Sequence, residues 1–216
     1  MKSLLYKEWK LAIHPTTFIF MSFGAMLIIP SYPSYVAFFY MCLSIFFLFL
    51  SGRENKDVFF TVMLPIKKSD VVKARCVMIA IIEIAQILIS IPFAILRTVL
   101  YGEAGNLAGI EPNFAFYGLV FVMFSLFNFI MISGFYKTAY KIGKPLIYAM
   151  LAIVLYYGLV ELLIWIPSPL RAFLDTMDSS MILYHLPILI MGILIWLVSF
   201  VITYRFSANR FEKVDL

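Results

Sequence analysis

The sequence predicts an all-α integral membrane protein with six transmembrane helices, an N-terminal interfacial helix and a short cytoplasmic helix between spans two and three. Hydrophobic residues make up 63% of the chain and charged residues 13%, whereas soluble domains contain about half and a quarter. The apolar residues form blocks that are long enough to cross a hydrocarbon core of about 30 Å as helices. Lys and Arg are concentrated in alternate connections between these blocks. We therefore expect residues 1–216 to form a single membrane domain.

The six blocks can be placed at residues 11–29, 34–51, 77–96, 114–135, 145–166 and 182–204. Each of the last five has about the 20 mostly apolar residues that a transmembrane helix needs. The first block is the weakest, because His14-Pro15 interrupts it and Pro30 and Pro33 follow its end. A helix is still expected there, since the segment between these prolines is strongly apolar.

The distribution of positive charge predicts that both termini lie in the cytoplasm. All but two of the 17 Lys and Arg residues fall in the N-terminal segment, the second-to-third connection, the fourth-to-fifth connection or a tail at residues 205–216. The exceptions, Arg97 and Arg171, lie in the opposite connections. Short loops rich in Lys and Arg stay on the cytoplasmic side of a cell membrane. The net charge of +5 is therefore a topological signal and gives no reason to expect a nucleic-acid partner.

The N-terminal segment 1–13 is predicted to be an amphipathic helix in the membrane interface, in contact with lipid. Leu5, Trp9 and Ala12 fall on one face of this helix, although Glu8 encroaches on the apolar side. The opposite face carries Ser3, Lys7 and Lys10. The alternative is that the segment is a positively charged lead-in to the first span.

The connection between spans two and three, residues 52–75, is the most informative part of the sequence. Asn55 is predicted to cap a short helix with Asp57 in its first turn, and Pro65 ends this helix. Ser69-Asp70 is predicted to start the next helix, which continues into the third span. Apolar residues recur along one side of the short helix: Phe59, Phe60, Met63 and Leu64. They either enter the lipid headgroup region or dock into a groove on another protein.

These features resemble the permease subunits of type-2 ATP-binding-cassette transporters, in particular small bacterial permeases. The architecture of the whole chain is similar to theirs. The more specific likeness is in the loop, which reads R-E-N-K at 53–56 and V-M-L-P-I-K-K-S-D-V-V-K-A-R at 62–75. The large extracellular domain of some such permeases has no counterpart here, because the outer connections are too short to fold alone.

The resemblance implies a half-transporter, expected to be an exporter, that pairs with a second copy or a sister permease. It also implies a separate cytoplasmic ATPase, which would bind ATP and Mg because this chain has no Walker motif and is expected to carry no cofactor. The helix at 55–64 would be the coupling helix that receives the movement driven by ATP. The coupling residues implied are Glu54, Asp57, Phe59, Phe60, Met63, Leu64 and Pro65.

A polar stripe in the third span is the second candidate site. Glu83, Gln86 and Ser90 fall within about 60° of one another around a helix. An ionisable residue inside a span is costly and is expected to face protein or water. The stripe either lines the cytoplasmic side of a translocation path, or Glu83 is hydrogen-bonded to a neighbouring helix and stabilises the bundle.

Other functional classes lack their usual residues. The spans contain no constellation of the kind that membrane proteases use, and the two histidines, His14 and His185, are predicted near opposite faces of the membrane. Asp175 and Asp178 are interpreted as a solvated outer loop. Two alternatives stay open: an ion-driven secondary transporter, for which Glu83 and Glu161 are the candidate ionisable groups, and a membrane scaffold or regulator.

Overall fold

The computed structural model describes residues 1–101, 108–165, 174 and 181–215, and helices are the regular elements in these residues. The N-terminal helix α1 (Lys2–Lys7) continues as a π-helical turn over Glu8–Ala12, and α2 (Thr16–Ser22) continues as a 3-10 helix over Phe23–Ile28. The remaining helices are α3 (Tyr35–Glu54), α4 (Asp57–Val62), α5 (Lys68–Tyr101), α6 (Phe114–Phe135), α7 (Gly143–Trp165) and α8 (Ile182–Glu212).

Five helices, α3, α5, α6, α7 and α8, are long and apolar enough to cross a membrane. The predicted first span is different, because the chain bends by 85° between Lys2–Ala12 and Thr16–Ile28. After the bend, seven α-helical and six 3-10 residues extend about 22 Å, which is short for a full crossing. The described residues thus contain five complete candidate spans, and a sixth if the bent pair counts as one.

Hydrogen bonds show which helix ends meet at each end of the bundle. At the end that carries α4, Lys68 Nζ donates to the Val214 carbonyl (2.6 Å) and Arg210 Nη1 donates to the Ser133 carbonyl (2.9 Å). At the opposite end, Ser34 Oγ donates to the Ile110 carbonyl (3.1 Å). The starts of α3 and α6 therefore lie together, away from the start of α5. This alternation is what consecutive spans require.

α6 is the centre of the bundle and makes its closest crossing with α8. A Cβ atom added to Gly118 would lie 2.5 Å from the Ile188 carbonyl oxygen, and one added to Gly192 would overlap the Gly118 carbonyl oxygen. Small residues let two backbones approach in this way, and such packing is a main source of helix association in lipid.

Two predicted boundaries are corrected by the structure. α5 has 34 residues, about 51 Å, and α8 has 31, so both extend beyond a hydrocarbon core of about 30 Å. In the predicted cytoplasmic tail, 205–216, α8 continues to Glu212, and the buried Phe211 ring packs 5.1 Å from the ring of Tyr136. The polar residues that follow the span are good helix formers and extend it.

The outer surface of the helices is strongly apolar. On α7, Leu151, Leu155 and Leu159 form an exposed stripe. Exposing such an apolar surface to water would cost free energy, whereas contact with the hydrocarbon tails of lipids would not. The chain is therefore a multi-pass membrane protein.

Candidate functional site

The short helix α4 lies between α3 and α5, next to α1. The chain turns from α3 into α4 through Asn55 and Lys56, and Lys56 takes the left-handed conformation with φ 51° and ψ 32°. The predicted cap at Asn55 is wrong, because this residue ends α3 and no side chain caps α4. The sharp turn occupies the position that the cap was expected to take. α4 is also shorter than the predicted 55–64, with six residues that include Asp57 in the first turn.

α4 has a buried face and an exposed face. Val58 and Thr61 are buried against the bundle. The exposed side chains are those that the sequence placed on one side, and we call them the apolar α4 face: Phe59, Phe60, Met63 and Leu64. Phe60 and Met63 are 60% and 67% exposed, although α4 lies outside the five candidate spans.

The other predicted coupling residues separate into two groups. Glu54 is exposed at the end of α3, with Arg53 Nη2 3.9 Å from its Oε1, and Pro65 is exposed in the turn before α5. Asp57 instead points into the protein, where its carboxylate joins a group of charged side chains. Glu54 and Pro65 are therefore open to contact from outside the bundle, whereas Asp57 is engaged with Lys7 and Arg75.

Four charged residues, Lys7, Glu8, Asp57 and Arg75, form an ionic cluster that joins α1, α4 and α5. Arg75 Nε lies 2.6 Å from Glu8 Oε2, and Arg75 Nη2 lies 2.6 Å from Asp57 Oδ2. Lys7 Nζ lies 2.8 Å from Asp57 Oδ1 and 3.0 Å from Glu8 Oε1. Each of the two positive side chains thus contacts both of the two carboxylates.

Glu8 and Arg75 are almost fully buried, so their charges depend on each other. Gly52 of α3 leaves room for the guanidinium, because a Cβ there would lie 3.3 Å from Arg75 Nη1. Burial raises the pKa of the Asp57 carboxyl, but the Arg75 charge and the hydrogen bond from Lys7 lower it by more. The net result is a pKa below the ordinary value, and Asp57 is ionised at neutral pH.

Glu8 and Arg75 were not identified as site residues from the sequence. Arg75 was counted only as one of the basic residues that set the orientation. Two signals point to these residues in retrospect: Glu8 interrupts the apolar side of the N-terminal helix, and Arg75 directly precedes the apolar run of the third span. Leu4 of α1, with Glu8 and Ala12 of the π-helical turn that continues it, forms the face that packs on the bundle, and Trp9 is half exposed.

The second predicted site, the polar stripe of α5, is buried inside a single chain. Glu83 accepts hydrogen bonds from Asn128 Nδ2 and Trp196 Nε1, both at 2.8 Å. Ser90 Oγ donates to the Ile87 carbonyl and lies 3.1 Å from Tyr117 Oη, whereas neither amide atom of Gln86 has a hydrogen-bond partner among the described residues.

All three residues of the stripe are buried; Glu83 contacts α6 and α8, and Ser90 contacts α6. Their assignment to a translocation path stays a prediction. Glu161 lies elsewhere, close to Gly109 in the connection before α6, so the structure does not bring the two intramembrane acids together. No group of three or more potential metal ligands occurs within the described ranges. Asp175 and Asp178 lie outside them.

Comparison with known protein families agrees with this architecture. The family model described as ABC-2 family transporter protein matches residues 3–212, which is almost the whole chain. The chain belongs to the ABC-2 transporter family. This ABC-2 permease is thus a member of a family of membrane subunits that are typically non-catalytic and that work with an ABC ATPase. No curated protein and no solved structure matches the sequence.

Proposed function

We propose that this ABC-2 permease is the membrane subunit of an ATP-driven exporter and that the apolar α4 face is the docking surface for a separate cytoplasmic ATPase. The ATPase would bind ATP and Mg, and the permease would pair with a second copy or a sister permease to form the translocation path. Glu83, Gln86 and Ser90 are proposed to contribute to that path.

The observation that carries this proposal is the contrast between the two sides of α4. One side is fixed to the bundle by Asp57 and the buried Val58 and Thr61, whereas the other presents two exposed phenylalanines. The Phe59 and Phe60 rings are 5.9 Å apart in an edge-to-face arrangement. A rigid pair of exposed aromatic rings is suited to insertion into a groove on a partner protein.

The expected orientation supports the same assignment. The end of the bundle that carries α4 also carries most of the Lys and Arg residues, which favours the cytoplasm. Tyr6 on α1 is exposed, Trp9 on the π-helical turn is half exposed, and the chain bends by 85° after Ala12. These observations support an interfacial position of the N-terminal segment, in contact with lipid. Both features would place the apolar α4 face where a cytoplasmic ATPase can reach it.

Replacing Phe59 and Phe60 by Ala tests the proposal. Burial of each ring contributes about 1.5 to 3 kcal/mol, so the double variant should bind the ATPase at least about 100-fold more weakly. The measurement is copurification of the ATPase, followed by titration in detergent. The amount of permease in the membrane should not change, because these side chains do not pack in the bundle.

A matched control is the double variant Leu151→Ala with Leu155→Ala, which removes two exposed apolar side chains from α7 instead. It should retain ATPase binding. Full binding by the Phe59→Ala, Phe60→Ala variant would refute the docking assignment. If wild-type permease binds no ATPase, the ion-driven transporter and scaffold hypotheses become the alternatives, and flux driven by an ion gradient would distinguish them.

A further inference from the structure

α4 is too short to hold its own position. A helix of six residues is not stable in isolation, because forming the first turn is unfavourable and a helix this short has too few backbone hydrogen bonds to offset that cost. Its orientation therefore depends on its contacts with the bundle. Among these, Asp57 provides the charged contacts, since one carboxylate oxygen pairs with Arg75 and the other with Lys7.

Arg75 belongs to α5, the helix that runs furthest through the bundle. Further along α5, Glu83 is hydrogen-bonded to α6 through Asn128 and to α8 through Trp196. The eight positions from Arg75 to Glu83 correspond to about 12 Å of helix, and Pro92 lies beyond them. The ionic cluster and the Glu83 hydrogen bonds are therefore joined by an uninterrupted, stiff segment of α5.

We propose that Asp57 and Arg75 are positioning residues that make α1, α4 and α5 move as one body, so that displacement of α4 moves α5 and, through Glu83, α6 and α8. This inference rests on the proposed function, because it assigns a mechanical role to the side of α4 that faces away from the ATPase. The N-terminal helix α1 takes part in the transmission through Lys7 and Glu8.

The chemistry of the cluster favours positioning over simple stabilisation. A buried ion pair contributes little net stability compared with well-packed apolar residues, because both charges lose their hydration. It does fix direction, since the planar guanidinium contacts two carboxylates from two different helices at defined angles. Apolar contacts alone would allow α4 to slide or rotate on the bundle when it is pushed.

Asp57→Asn tests this role, because it removes one charge from the cluster and leaves the apolar α4 face intact. Spin labels at exposed positions of α5 and α7, Val99→Cys and Leu159→Cys, report the distance between α5 and a helix outside the coupled unit, in a background without Cys42 and Cys76. The measurement compares the permease–ATPase complex without nucleotide and with ATP and vanadate. The control is Asp70→Asn, which makes the same change on α5 outside the cluster.

We expect wild type and Asp70→Asn to show the same nucleotide-dependent change in distance. Asp57→Asn should bind the ATPase and permit ATP hydrolysis, but its distance change should fall to less than half. Arg75→Lys, which retains the charge but cannot contact both carboxylates in the same geometry, should show the same defect and serves if Asp57→Asn does not accumulate. Asp57→Glu should restore part of the response.

A full distance change in Asp57→Asn or in Arg75→Lys would overturn the inference while leaving ATPase docking intact. Failure of wild-type permease to bind the ATPase, or a wild-type complex without any nucleotide-dependent change, would instead contradict the proposed function. The two failures are therefore distinguished by the wild-type measurement.

Discussion

The indole Nε1–H of Trp196 donates a 2.8 Å hydrogen bond to Oε2 of Glu83, although the two residues are 113 positions apart in the sequence. Asn128 donates to the other carboxyl oxygen. One buried side chain therefore joins three membrane helices, α5, α6 and α8. The sequence left two interpretations open for Glu83, which either lines a translocation path or forms hydrogen bonds to neighbouring helices. The structure of the single chain shows the hydrogen bonds.

Replacing Glu83 by Leu should destabilise the bundle, because it leaves the donors of Trp196 and Asn128 buried without an acceptor. Each unsatisfied donor costs about 1 to 3 kcal/mol, so we expect a loss of about 2 to 6 kcal/mol in the free energy of unfolding. Titration with a denaturing detergent, monitored by tryptophan fluorescence, measures this change. A loss well below 1 kcal/mol would show that these hydrogen bonds do not hold the helices together.

Glu83→Gln is the conservative partner of this variant, since it keeps the size and an acceptor oxygen but removes the charge. One of the two donors then faces the Gln amide NH2, so we expect Glu83→Gln to lose about 1 to 3 kcal/mol in the free energy of unfolding, less than Glu83→Leu. The folded protein should bind the ATPase normally while altering transport. Unaltered transport by Glu83→Gln would remove the Glu83 charge from the mechanism and leave only its structural contribution.

The crossing of α6 and α8 makes a second prediction, since Gly192 faces the Gly118 backbone without space for a side chain. Gly192→Ala should separate the two helices and lower the free energy of unfolding by about 1 to 3 kcal/mol. Gly158→Ala is the control, because nothing lies within 4 Å of a Cβ at that position. The same detergent titration compares both variants with wild type, and equal stability of the two would argue against the close crossing.

The sequence predicted the helices whose ends coincide with changes in hydropathy. α6 matches its predicted range, 114–135, because Pro112 and Asn113 precede a mostly apolar block and Lys137 follows it closely. α5 begins at Lys68, next to the predicted start at Ser69-Asp70, but continues past the predicted end at residue 96 to Tyr101. α8 continues past the predicted end at residue 204 to Glu212, because the polar residues that follow the span extend the helix. Hydropathy marks the membrane core and carries no information about where a helix ends in water.

Only the part of the candidate site that follows from the spacing of residues along one helix could be predicted from the sequence. The exposed side of α4 follows from the spacing of Phe59, Phe60, Met63 and Leu64. The pairing of Glu8 with Arg75 depends on tertiary packing across 67 positions, which one sequence does not specify. The left-handed Lys56 was missed for a related reason, since its conformation is imposed by the turn that leads from α3 into α4.

Membrane orientation makes the third prediction. Single cysteines at the exposed positions Lys67 and Lys137, in a background without Cys42 and Cys76, should not react with a membrane-impermeant thiol reagent in whole cells. Both should react after the cells are broken, which shows that they are reachable from the cytoplasm. A cysteine at Asn106, in an outer connection beyond the described residues, should react in whole cells. Labelling at position 67 from outside would contradict both the orientation and the proposed docking of an ATPase.

The ionic cluster makes the last prediction, which concerns pH. The pKa of Asp57 is below its ordinary value in the folded protein, because the effects of Arg75 and Lys7 exceed that of burial. A carboxyl group of this kind contributes stability that is fully present above its unfolded pKa, about 3.9, and is lost as the pH falls through the lower folded pKa. Wild type should therefore be more stable than Asp57→Asn at pH 7, and the difference should shrink progressively below about pH 4.

Thermal unfolding in detergent at a series of pH values measures this difference directly. Asp70→Asn serves as the control, because Asp70 lies outside the cluster and its charge in the first turn of α5 contributes only about 0.3 to 1 kcal/mol, less than expected for Asp57. Comparing variants with wild type at the same pH cancels the titration of carboxyl groups that all three proteins share. A difference between wild type and Asp57→Asn that stays constant from pH 7 to pH 3 would mean that the Asp57 charge does not stabilise the attachment of α4, and that Val58 and Thr61 hold this helix instead.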